Sequence, residues 1–212
     1  MIVEFVGPPG AGKTTIAQEL ARLAGIPSLT LDGYRTREGR VLSSREVAAQ
    51  RWWSLVSQPW LAHQTLDCLR REGRGLALSW MVNLARRNRM MRSFRGVDLI
   101  LEEGTLSALC LAQAARSLSW DMLSLIPRLV RGDRVVVVDV DAATAVDRIR
   151  SRRGILADRD VDELHLLVSQ YNIALGELSA ALHPAPIHIT SDAPPGRVAV
   201  HLYEALAISP PD

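Results

Sequence analysis

The feature that most constrains this chain is a loop set between an apolar run and an amphipathic one. Gly7-Pro8-Pro9-Gly10-Ala11-Gly12-Lys13-Thr14 follows Ile2-Val3-Glu4-Phe5-Val6, a short buried strand by its composition. It precedes residues 13–24, where Ile16, Leu20 and Leu23 recur at helical spacing. Strand, Gly-x-x-x-x-Gly-Lys-Thr and helix in that order make a phosphate-binding loop. Gly10 and Gly12 leave backbone N–H groups free to converge on phosphate oxygens, and the helix N-terminus adds partial positive charge. The Lys13 ammonium can reach β- and γ-phosphates, and the Thr14 hydroxyl suits Mg²⁺. Gly7, Pro8, Pro9, Ala11 and Thr15 complete the cradle. Of 25 basic residues, 24 are Arg, and the one Lys is Lys13. A compact ammonium is kept where the wider guanidinium fork would not fit.

The rest of the chain alternates strands with helices. Strands are expected at 28–31, 97–101, 134–140 and 186–190, and helices near 44–57, 59–72, 76–93, 105–117, 120–130, 142–153, 161–182 and 195–207. Ser43 to Glu46 offers a capping box, and Gly25 followed by Pro27 offers a helix stop. The runs at 97 and 134 are apolar almost throughout, as strands covered on both faces are. The expected class is α/β: one domain over 1–212 with a doubly wound parallel sheet of about five strands. A helical insertion over about 43–95 is too long for one crossover and belongs over the sheet's carboxyl edge, where ligands bind in this class. Two Cys are too few for a disulfide scaffold, and no secretory leader or uncharged membrane span is visible. The expected setting is cytoplasmic.

Charge is uneven. Residues 35–95 hold 13 Arg against four acids, a net of +9 in a chain whose total is +2. Trp52, Trp53, Trp60 and Trp80 lie in the same stretch. Aromatic faces among arginines suit a planar anionic ligand, although each Trp alone is better read as subdomain core. Arg86, Arg87, Arg89, Arg92 and Arg95 could hold phosphate. A nucleic-acid partner is disfavoured, because no sequence-reading motif accompanies them. A second cluster, Arg148, Arg150, Arg152, Arg153 and Arg159, falls within 12 residues with Asp158 the only acid. Like charges at i, i+4 repel unless an anion binds between them.

Two carboxylates, Glu102 and Glu103, follow the run at 97–101, and either could hold a metal beside Thr14. Asp32 ends the second strand, ahead of Tyr34 and Arg35, and reads equally as a general base for an acceptor alcohol or as a turn residue before Gly33.

The phosphate loop, together with Val140-Asp141-Ala142-Ala143-Thr144-Ala145-Val146-Asp147-Arg148-Ile149-Arg150-Ser151-Arg152, resembles P-loop kinases of nucleotides, nucleosides and other small molecules. The likeness is nearest to thymidylate kinases; the Tyr171 helix and the strand at 186–190 are also similar, and only 43–95 falls outside it. It implies ATP as donor, Mg²⁺ held at Thr14 and Glu102, and an Arg-rich lid over 148–162 hinged near Gly154. Arg152 and Arg159 would touch phosphate, Arg148 would touch adenine or phosphate, and Ser191 to Pro194 would line the adenine. It also places Asp32, Tyr34, Arg35 and Glu103 toward the acceptor. Thymidylate kinases usually carry Asp-Arg where this chain has Glu102-Glu103, so an Arg suited to an acceptor phosphate is absent there. The expected function is transfer of the γ-phosphoryl group of ATP to a small molecule, a nucleotide or nucleoside first. Another hydroxylated metabolite or antibiotic, or a regulatory ATPase with a macromolecular partner, are the alternatives. A homodimer is compatible with the sequence.

Overall fold

The computed structural model describes residues 1–30, 46, 49, 52–54, 56–61, 63, 76–114, 122–152, 156 and 158–208. Five strands form one parallel sheet: β1 (Ile2–Val6), β2 (Ser28–Thr30), β3 (Leu99–Glu103), β4 (Arg134–Asp139) and β5 (Ile187–Thr190), in the order β2-β3-β1-β4-β5. The helices with fully described bounds are α1 (Lys13–Ala24), α2 (Leu76–Ser93), α3 (Thr105–Ala114), α4 (Ala142–Arg150), α5 (Val161–Ala181) and α6 (Pro195–Ala205), with a 3₁₀ helix over Met122–Arg128.

The doubly wound arrangement follows from the strands. Along β1, Val3 and Phe5 face one core with Ile16, Leu20, Val198 and Leu202, while Val6 joins the other with Leu106, Leu109, Tyr171 and Leu175. Along β4, Val136 and Val138 face the first core and Val135 and Val137 the second. Neither face is solvated, which is why these strands read as unbroken apolar runs. Helix α1 ends where its sequence says it should: Gly25 is left-handed (φ 66°) and its N–H bonds to Ala21 O.

The third strand departs from expectation. It was expected over 97–101 and lies at 99–103. Val97 and Asp98 are taken by the turn that ends α2. Gly96 is left-handed, Val97 N–H bonds to Phe94 O, and the Asp98 carboxylate pairs with the chain's terminal amine. Pairing then begins with Leu99 beside Ile2. Glu102 and Glu103 are therefore the strand's last two residues, on opposite faces of the pleat, and do not follow it as a loop. Two helices are shorter than expected: α4 stops at Arg150, and the 120–130 segment is a 3₁₀ helix containing Pro127, which removes an internal donor. The capping box at Ser43 and most of the two helices expected over 44–72 lie outside the described residues. Among the described residues no helix is long and apolar enough to cross a membrane.

Ser54, Gln58 and α2 are fixed to the rest of the fold by a buried polar chain. Gln58 donates to the carbonyls of Ser54 (2.8 Å) and Ala85 (2.6 Å) and accepts from Asn88, whose Oδ1 accepts from Val130 N–H at 2.6 Å. That anchoring sets the position of α2 and of the arginine it sends toward β3.

Candidate active site

The loop after β1 takes its shape from packing as much as from ligand needs. A Cβ on Gly7 would stand 2.7 Å from Val138 O, and one on Gly10 would stand 2.4 Å from Ala145 O. Gly10 and Gly12 are also left-handed, at φ 82° and 85°. Thus Gly7 and Gly10 let the loop lie directly on β4 and α4. Gly12 has open space around it, the nearest atom being an Arg148 guanidinium nitrogen at 4.0 Å, so only its backbone angle demands glycine there. The loop closes on itself with Ala11 N–H to Pro8 O at 3.2 Å, and Ala11 is fully buried beneath it. Thr14 and Thr15 are exposed at the first turn of α1.

Lys13 is 6% exposed and folds back over the loop, donating to Gly7 O (2.8 Å) and Pro8 O (3.0 Å). Burial holds its ammonium below the usual lysine range; the Glu103 carboxylate beside it pulls the other way. Phosphate oxygens would relieve that burial cost by replacing weak carbonyl acceptors with a charged one.

The two carboxylates of β3 have different surroundings. Glu102 is 6% exposed, and its oxygens accept from Thr30 Oγ1 (2.7 Å) and Gln18 Nε2 (3.3 Å), both neutral. Among the described residues no Lys or Arg pairs with it. A buried carboxylate without a cation is costly, so this position suits a metal ion or its water shell. Glu103, not Glu102, is the acid paired with Lys13, at 3.5 Å from Nζ. It also pairs at 3.8 Å with Arg87 of α2, whose guanidinium donates to the carbonyls of Gly104 (3.0 Å) and Glu103 (3.4 Å).

A cleft of about 440 Å³ opens on the far side of the loop, lined by Gly12, Thr15, Ile16, Arg148, Arg152 and the segment Ser191–Pro195. Asp141 caps α4 through Thr144 N–H (2.9 Å), which orients the helix that carries Arg148. Arg148 donates to Ser191 Oγ (2.8 Å) and Ser191 O (3.2 Å), tying α4 to the loop after β5. An apolar floor with two guanidinium groups at its edge suits a planar anionic ligand. The structure therefore brings together Gly12, Thr15, Arg148, Arg152 and the Ser191 segment. Arg159 is exposed and does not line the cleft. Asp32, Tyr34, Arg35, Arg153 and Gly154 lie outside the described residues.

Several residues of the site were not singled out by sequence reasoning. Arg87 was one of five arginines in a cluster, and nothing local marked it as the one that reaches β3. Glu4 is the clearest omission, since a lone acid inside Ile-Val-Glu-Phe-Val was a readable signal. It is fully buried, and its carboxylate accepts from Leu106 N–H (2.8 Å), at the start of α3, and from Gly132 N–H (3.0 Å). Burial pushes its pKa up to about 7, against the pull of those two donors and, more weakly, of Arg87 and Arg131. A Cβ on Gly104 would stand 2.2 Å from the Glu4 carboxylate, so the glycine after Glu103 is required by Glu4. Tyr171 is also buried, its hydroxyl making a long bond to Ser107 O (3.5 Å). Burial raises its pKa well above the usual tyrosine value. Of the insertion's tryptophans, Trp60 packs on the core under Arg128, whereas Trp52 and Trp53 are exposed, with Arg89 over the Trp53 ring.

A family profile described as an AAA domain matches residues 2–174. No curated protein sequence matches the chain. Among solved structures, deoxyadenosine kinase from M. mycoides with products dCMP and dCDP is similar over 98% of this chain and 99% of that one, at TM-score 0.62 and 14% identity. Shikimate kinase from Aquifex aeolicus covers 98% of this chain and 96% of its own, at TM-score 0.53 and 18% identity. The YorR protein of Bacillus subtilis, in complex with phosphorylated GDP, covers 98% and 96%, at TM-score 0.58 and 13% identity. These likenesses establish a shared P-loop kinase fold.

Proposed function

Since the chain belongs to this AAA-domain family of P-loop proteins, we propose that it is a phosphotransferase moving the γ-phosphoryl group of ATP to a small molecule of the nucleoside or nucleotide kind. The observation that carries the reading is the junction of a fully formed phosphate loop with the cleft between Arg148 and the Ser191 segment. Triphosphate on one side and base on the other account for both. The structures of similar fold include a deoxyadenosine kinase, a shikimate kinase and a protein in complex with phosphorylated GDP, which supports the same class here.

In this reading the loop from Gly7 to Thr15 cradles the β- and γ-phosphates through its backbone N–H groups, Pro8 and Pro9 having none, and the Lys13 ammonium binds them. Arg148 and Arg152 flank the nucleotide, and Arg159 reaches the transferred phosphoryl when residues 148–162 act as a lid. The segment Val140 to Arg152, which resembles thymidylate kinases, follows β4, contains α4 and carries both cleft arginines. Thr14 and Glu102 would hold Mg²⁺, which supplies charge neutralisation of the phosphates when bound. Catalysis is then positioning and electrostatic stabilisation by fixed cations, with little covalent chemistry asked of the protein. Asp32, Tyr34, Arg35 and Glu103 form the acceptor side. In this reading the setting is cytoplasmic, where ATP is supplied.

Calorimetric titration with ATP and Mg²⁺ tests the donor half. The wild-type chain binds, and Lys13→Ala, which removes the ammonium while leaving the loop packing intact, weakens binding at least about tenfold. Equal affinity in the two proteins contradicts the assignment.

A further inference from the structure

We infer that the group receiving the phosphoryl is a hydroxyl presented to Glu103, and not a phosphate. The inference rests on the kinase reading above and names the acceptor's chemical class. It comes from how charge is distributed at the carboxyl end of β3. Three charged side chains meet there, and they are unequally exposed. Lys13 is 6% and Arg87 12% exposed, whereas Glu103 is 40% exposed. The surface offered to a molecule approaching this edge beside Lys13 is therefore a carboxylate, with the two cations behind it.

Neither cation is free to take an acceptor phosphate. Lys13 is the residue that the donor phosphates recruit, and it leaves Glu103 when they do. The Arg87 guanidinium is directed inward, onto the carbonyls of Glu103 and Gly104, and its Nε is buried without a partner. It serves to hold Glu103 after Lys13 has gone, at a separation of 3.8 Å. The backbone that follows Glu103 is fixed. Gly104 is pressed on the Glu4 carboxylate, which is in turn fixed by the N–H groups of Leu106 and Gly132.

A donor γ-phosphate on Lys13 thus lies close to a half-exposed carboxylate that has lost one of its two cations. A hydroxyl completes this arrangement by donating a hydrogen bond to Glu103. Its oxygen bonds to the γ-phosphorus as the bond to the β–γ bridging oxygen breaks and ADP leaves, and its proton passes to the Glu103 carboxylate. An acceptor phosphate would add further negative charge next to Glu103, where the two cations in contact with it, Lys13 and Arg87, are already engaged. Glu103 then selects the reacting group.

The test uses the full chain, ATP and Mg²⁺, and matched pairs of acceptors: nucleosides against their 5′-monophosphates, and polyols and hydroxy acids against their phosphate esters. Acceptor-free hydrolysis of ATP is followed in parallel, water being the simplest hydroxyl acceptor. Wild type, Glu103→Gln and Glu103→Asp are compared after circular dichroism shows each folded. The expected result is turnover confined to the unphosphorylated member of a pair, with Glu103→Gln raising the acceptor KM about ten- to hundredfold. ATP affinity should be kept, and Glu103→Asp should restore part of the loss. If no acceptor in the set is turned over, hydrolysis at saturating ATP and Mg²⁺ should still fall by a similar factor in Glu103→Gln. Turnover of the phosphorylated members, or hydrolysis and acceptor KM unchanged in Glu103→Gln, overturns the inference while the kinase reading stands. Absence of ATP binding by the wild-type chain overturns the kinase reading itself, and this inference falls with it.

Discussion

The buried Glu4 gives the prediction whose size can be worked most directly. Burial pushes its carboxyl pKa up to about 7 in the folded chain, from an ordinary value of about 4.5. The folded state therefore holds its proton over a pH range in which the unfolded state has lost it. For a raised carboxyl pKa the sign is unfavourable at high pH: stability is full below about 4.5, and falls as pH rises until the folded group also ionises near 7. A difference of about 2.5 units at roughly 1.4 kcal/mol each makes the loss about 3 kcal/mol, a sizeable share of the stability of a domain this size. The perturbation is Glu4→Gln, which keeps the shape and cannot ionise. It turns one amide N–H₂ toward a backbone donor, at a fixed cost of about 1–3 kcal/mol. Urea unfolding of both proteins at pH 5 and pH 8 is the assay. Wild type should lose about 2.5 kcal/mol more than the variant between the two pH values, because pH 5 already lies above 4.5 and all other titrating groups are shared. Parallel pH dependence in the two proteins would show that Glu4 is ionised throughout and refute the reasoning. The consequence for function lies at Gly104 and α3, which Glu4 holds in place beside Glu103.

Three more outcomes follow from the same geometry. Gly10→Ala should destabilise the fold more than Gly12→Ala in thermal melts. Both place Ala at positive φ, worth about 1–2 kcal/mol, but only Gly10 meets a backbone carbonyl; equal melting temperatures would contradict the packing argument. Arg148→Met keeps the stem and removes both bonds to Ser191, so the ATP KM should rise about tenfold with stability changed by less than about 1 kcal/mol; steady-state kinetics and melts check this together. Glu102→Gln should raise the Mg²⁺ concentration for half-maximal turnover at least about tenfold. An unchanged Mg²⁺ requirement would leave Glu102 only its bonds to Thr30 and Gln18.

How much of this was legible in the sequence depended on how local the cause was. The loop, α1 and its Gly25 stop are set by adjacent residues, and they stand where the sequence put them. The parallel sheet was readable because strands covered on both faces carry unbroken apolar runs. The position of β3 was not, since Val97 looks like strand and Asp98 like an interruption until the turn at Gly96 and the terminal amine claim them. The partner of Glu103 was illegible for the same reason at longer range. Arg87 lies 16 residues away on a helix whose placement depends on a buried Gln58–Asn88 bond, and no pattern within either segment encodes their meeting. Glu4 differs, because a single acid in an apolar strand announces a buried charge even when its partners are unknown.

The central claim is transfer of the donor's γ-phosphoryl to a small acceptor, and γ-labelled ATP tests it most directly. Incubated with Mg²⁺ and a set of nucleosides, nucleotides and hydroxylated metabolites, the wild-type chain should move label into an acceptor, and Lys13→Ala should not. Label released only as inorganic phosphate at a rate indifferent to every acceptor, or transfer undiminished in Lys13→Ala, would contradict it.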